Sequence, residues 1–76
     1  MRDRVFAIVS RVMGVPVEQV TEESSPETMT QWDSLRHMNL LLSLEEELDI
    51  RFTDQEMSEM MGLRKILELL ENRVRT

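Results

Sequence analysis

The chain holds 76 residues, with 15 acidic against 9 basic side chains and no cysteine. That length suffices for one small domain, residues 1–76, and 41% hydrophobic with 32% charged residues is the balance of a soluble globular fold. A net charge of -6 argues against nucleic acid as a partner, and the missing thiols exclude a disulfide framework, a thiolate zinc site and a cysteine nucleophile.

Val5, Ile8, Val9, Val12 and Met13 recur at i, i+3, i+4, i+7 and i+8, which predicts a first helix with one apolar face. Gly14 can close it in the left-handed conformation, and Pro16 prevents its continuation. Residues 15–33 then form a long connection rich in Glu, Ser, Thr and Pro, with Val15, Val17, Val20 and Met29 expected as its apolar pins. Connections of that length without regular structure tend to be functional.

A second helix is predicted from Asp33-Ser34, either of which can cap it, through Leu48 or Asp49. It carries two apolar faces. Leu40, Leu41, Leu44 and Leu48 share one side, and Leu35, Met38 and Leu42 lie on another. One face can meet a core; the other needs a separate explanation. After Ile50-Arg51-Phe52, the run Thr53-Asp54-Gln55-Glu56 has the spacing of a capping box and opens a short third helix with Met57, Met60 and Met61. Past Gly62, Leu63, Ile66, Leu67, Leu70 and Val74 make the stripe of a fourth. No segment alternates with the period of a half-buried strand. The expected fold is all-α: a four-helix bundle of three longer helices and a short third, with the long loop between the first two. The two ends of the chain are mildly basic, and the acidity is concentrated in residues 14–60.

Few residues can carry chemistry. His37 is the sole histidine, and with Asp33 and Ser34 it falls within one helical turn, where a base cannot sit between a nucleophile and an orienting acid. It shares the side of Leu40, Leu41 and Leu44, so a partly buried packing role is expected. Glu45, Glu46, Glu47 and Asp49 lack the glycine-containing turn of a calcium loop and read as a solvated face. No metal site and no enzymatic activity are expected.

Ser34 remains. The segment Trp32-Asp33-Ser34-Leu35 resembles the Asp-Ser-Leu signature of acyl carrier proteins and related peptidyl carrier domains. Its setting extends the likeness to the whole chain. The tripeptide follows a long loop, opens the second of four helices and continues as Leu44-Glu45-Glu46-Glu47-Leu48, similar to the Leu-Glu-Glu-Glu-Phe ending common there. The resemblance implies that the Ser34 hydroxyl, with Asp33 as its motif neighbour, receives 4′-phosphopantetheine from coenzyme A through a phosphopantetheinyl transferase. The chain would then hold an acyl or aminoacyl group as a thioester, loaded by an acyl- or amino-acid-activating ligase and passed to downstream acyl-transfer enzymes.

The same resemblance implies docking on the start of the second helix, with Leu35, Arg36, Met38, Asn39, Leu42, Glu45 and Glu46 on that surface. Housekeeping fatty-acid carriers place acidic residues where Arg36 and Asn39 stand, and a small residue where Trp32 stands. A discrete carrier of a specialised pathway is therefore expected, rather than the typical fatty-acid synthesis member. The alternative is a carrier-like helical module that binds a partner and is never phosphopantetheinylated. The methionines around the short helix can fill gaps or open for an acyl chain. No apolar run approaches the roughly 20 residues of a membrane span, and Met1-Arg2-Asp3-Arg4-Val5-Phe6 lacks a signal-peptide core. A cytoplasmic monomer without membrane insertion is the expectation.

Overall fold

Four α-helices form in the predicted order: α1 (Arg2–Met13), α2 (Ser34–Leu48), α3 (Asp54–Glu59) and α4 (Leu63–Val74). The structure, a computed structural model, describes residues 2–74, except for the Val74 side chain. The place expected for Val74 in the fourth apolar stripe, and the charge at Arg75, lie outside the described residues. Among those residues there is no strand, and α3, at 6 residues, is half the length of α1 or α4.

The core draws mainly on the predicted faces, although Val12 and Leu48 are only partly buried against it and Trp32 and Phe52 join it from outside them. Val5, Ile8, Val9 and Met13 of α1 join Leu40, Leu41 and Leu44 of α2, while Leu63, Ile66, Leu67 and Leu70 of α4 complete it. Met60 is fully buried and Met57 partly so, the gap-filling role suited to a flexible side chain. Removing such apolar surface from water is the main stabilising term for a chain of this size. No helix of the described chain is long and apolar enough to cross a membrane.

The helix ends have identifiable causes. Gly14 adopts φ 71°, and its N–H and that of Val15 both reach the Ser10 carbonyl, at 2.9 and 3.2 Å. A Cβ there meets nothing within 4 Å, so Gly14→Ala tests backbone conformation alone. It is expected to lower the unfolding free energy by about 1 kcal/mol in urea denaturation, the left-handed penalty of a side chain. At α3 the capping box is complete: Glu56 N–H donates to Thr53 Oγ1 at 3.1 Å and Thr53 N–H to Glu56 Oε1 at 2.8 Å.

Residues 15–33 are pinned more than their composition indicates. Val15, Val20 and Met29 are buried as expected, but Val17 is 46% exposed. A single 3-10 turn over Val17–Gln19 redirects the chain after Pro16, so that Val20 reaches the core and Val17 faces out. Ser24 is buried: its Oγ accepts from Thr21 N–H at 2.9 Å, and its carbonyl accepts from Leu63 N–H at 2.9 Å. That second bond ties the connection to the start of α4. Gly62 permits the approach, since a Cβ there would lie 3.3 Å from Ser25 Cβ. The basic ends meet the acidic middle through Arg2–Glu22, Arg11–Glu47 and Arg64–Glu23. Part of the acidity is thus answered within the chain, although exposed pairs of this kind stabilise little individually.

Candidate functional site

The connection enters α2 through a series of tight bonds that fix the presentation of Ser34. Trp32 N–H donates to the Met29 carbonyl at 3.0 Å and Asp33 N–H to that of Gln31 at 3.0 Å. Asp33 is the N-cap, extended at φ -99°, its Oδ1 accepting from Arg36 N–H at 2.8 Å. Of the two capping candidates, the aspartate takes the role. Ser34 is therefore the first helical residue, exposed, and its hydroxyl makes no hydrogen bond among the described residues. The backbone N–H groups of a helix's first turn lack intrahelical acceptors and carry the positive end of its dipole, a favourable setting for an attached phosphate.

Beside Ser34 lies an open cleft of about 340 Å³ lined by Pro26, Trp32, Asp33, Ser34, His37 and Met61. Trp32 is 3% exposed and forms part of the core, a role that sequence periodicity does not reveal because the residue precedes the helix. Its indole Nε1–H donates to His37 Nδ1 at 3.0 Å, with ring centroids 6.1 Å apart. His37 is half-buried as expected, and burial lowers its pKa, favouring the neutral ring. Its Nε2 is buried and has no hydrogen-bond partner.

Along α2 the second apolar face is open to solvent: Leu35 is 72% exposed, Met38 50% and Leu42 51%. Arg36, Asn39 and Glu46 are exposed on the same helix. Arg36 is drawn back to the helix start, with Nη1 3.3 Å from Asp33 Oδ2 and 3.4 Å from the Gln31 carbonyl. Glu45 is not available there, contrary to expectation. It is 7% exposed, and its Oε2 accepts from the Phe52 N–H at 2.8 Å. The three consecutive glutamates thus diverge: Glu45 turns inward, Glu46 outward, and Glu47 pairs with Arg11 on α1, which also lowers the Glu47 carboxyl pKa. Among the described residues no group of three or more His, Asp or Glu side chains is placed to hold a metal ion.

No family model matches the chain. Individual proteins do. It is 31% identical over 72 residues to an acyl carrier protein of Thermosynechococcus vestitus, spanning 95% of this chain and 89% of that one. An acyl carrier protein of Buchnera aphidicola subsp. Schizaphis graminum is 24% identical over 70 residues, spanning 92% and 89%. Among solved structures, the solution NMR structure of a holo acyl carrier protein from Geobacter metallireducens superimposes with a TM-score of 0.84 at 28% identity, over 97% of this chain and 85% of that one. With 31% identity over 95% of its length, the shared helical fold and a free serine at the start of α2, the chain belongs to the acyl carrier protein family.

Proposed function

We propose that residues 1–76 act as one carrier domain, with 4′-phosphopantetheine attached to Ser34, and deliver an acyl or aminoacyl group to the enzymes of a specialised pathway. The family consists of carriers rather than enzymes, and its relatives carry that name. The observation that carries the reading is the state of Ser34: exposed, relieved of capping by Asp33, and free of hydrogen bonds. The residues present fit the group. Ser34 offers the attachment oxygen, the first turn of α2 offers N–H groups to the phosphate, and His37, whose buried Nε2 has no hydrogen-bond partner, is one of the residues lining the adjoining cleft. When bound, the arm supplies the thiol that a chain without cysteine lacks.

The specialised assignment is supported by charge. Arg36 and Asn39 occupy exposed α2 positions, and the apolar face of Leu35, Met38 and Leu42 dominates the surface beside Ser34. Glu46 is the nearby acid open to a partner. A surface of this kind disfavours partners that select a uniformly acidic helix and suits a ligase and transfer enzymes with apolar docking sites. Cytoplasmic, monomeric operation is consistent with a carrier that must visit several such enzymes.

The test is intact-protein mass after incubation with coenzyme A, magnesium and a broad-specificity phosphopantetheinyl transferase. A gain of one phosphopantetheine is expected. No gain on folded protein, with a known carrier modified in parallel, would overturn the reading in favour of an unmodified interaction module.

A further inference from the structure

The Trp32–His37 bond fixes more than a side-chain position. An indole N–H donates and cannot accept, so His37 Nδ1, 3.0 Å from Trp32 Nε1, must present its lone pair. In the neutral ring, which burial favours, the proton therefore resides on Nε2. That atom is buried and has no partner, the one orphaned side-chain nitrogen or oxygen of its kind among the described residues. Leaving a buried N–H unanswered opposes folding unless something supplies an acceptor. The ring lines the cleft together with Ser34, whose hydroxyl makes no bond to it, and the side chains of Pro26, Trp32 and Met61 offer no strong acceptor. Asp33, the one charged lining residue, has both carboxylate oxygens engaged with Arg36. Met61 is 57% exposed and unbranched, so it can move without disturbing the core.

We infer that His37 Nε2–H is a built-in donor for a carbonyl oxygen tethered at Ser34, either an amide carbonyl of the pantetheine arm or the thioester carbonyl of its cargo. The inference rests on the modification of Ser34 proposed above. His37 acts as a binding residue held in one tautomer by Trp32, the positioning residue. The pair gives this chain a polar anchor in the cleft beside Ser34.

Because the protein has one histidine and one tryptophan, NMR of ¹⁵N-labelled protein reads both rings without ambiguity. The unmodified chain is compared with chain modified from coenzyme A and from acetyl-coenzyme A, each verified by intact mass. The unmodified form should show the Nε2-protonated tautomer. On modification the imidazole N–H should move downfield and exchange with water about tenfold more slowly, the protection of an ordinary net hydrogen bond, while the indole N–H keeps its bond. A change already present with the free-thiol arm assigns the acceptor to an arm amide; a change only in the acetylated form assigns it to the thioester. Unchanged imidazole signals in both fully modified forms, or an Nδ1-protonated ring in the unmodified chain, overturn the inference. Absence of the mass gain overturns the carrier reading itself, and this inference with it.

Discussion

Ser34→Ala is expected to abolish the phosphopantetheine mass gain while leaving the urea unfolding midpoint nearly unchanged, within about 0.5 kcal/mol of unfolding free energy. The two halves of that result have separate causes. Modification is lost because the substitution removes the exposed hydroxyl that, among the described residues, stands unbonded at the start of α2. Three of the other serines are poor substitutes: Ser24 is buried, Ser10 Oγ donates to the Val15 carbonyl at 2.6 Å, and Ser58 Oγ donates to that of Gln55 at 2.7 Å. Stability persists because Asp33, not Ser34, accepts the capping bond from Arg36 N–H, and alanine is a good residue for a first helical turn. If Ser34 were a structural cap, the same change would cost about 1 kcal/mol. A residual mass gain in the variant would place the attachment on a different hydroxyl.

The helices were legible because each boundary has a local chemical cause. Gly14 and Pro16 stop α1, Asp33 starts α2, and the Thr53–Glu56 box starts α3. Such signals act within four residues and survive without knowledge of the rest of the fold. Ser34 was legible as a hydroxyl at a helix start, but the role proposed for it came from the resemblance of Trp32-Asp33-Ser34-Leu35 to the carrier-protein signature. The connection itself was less so. Val17 and Val20 are chemically identical, and only the 3-10 turn after Pro16 decides that one is exposed and the other buried. Trp32 and His37 sit on opposite sides of the helix cap, where no periodicity relates them; their bond depends on the extended backbone at Asp33. The usable signal was composition: the sole tryptophan and sole histidine stand five positions apart around the site. The cleft's orphaned nitrogen has no counterpart in sequence, since satisfaction is a property of neighbours.

Glu45 shows how a charge is misplaced by reading its type before its angle. On a helical wheel it lies roughly 40° from Leu41, at the border between the buried and open faces of α2. What draws it inward is the α2–α3 turn. Asp49 ends α2 at φ 55°, and its N–H and that of Ile50 converge on the Glu45 carbonyl, the latter at 3.1 Å. The chain then brings Phe52, 7% exposed, back over the core, leaving its backbone N–H without a helical or strand acceptor. Glu45 Oε2 answers it at 2.8 Å. Glu45→Ala is therefore expected to lower the unfolding free energy by about 2 kcal/mol, the penalty for stranding a buried donor, and the melting temperature by roughly 8–16 °C for a chain of this length. Glu45→Gln should recover most of that loss, because an amide oxygen can accept from the same N–H. Glu46→Ala, on the exposed neighbour, should shift stability by no more than about 0.5 kcal/mol. Thermal unfolding of the three variants separates a buried tether from a docking acid. Equal, negligible shifts at both positions would return Glu45 to the partner surface. A large loss at Glu45 alone, rescued by glutamine, leaves Glu46 as the acid of this pair that faces a partner.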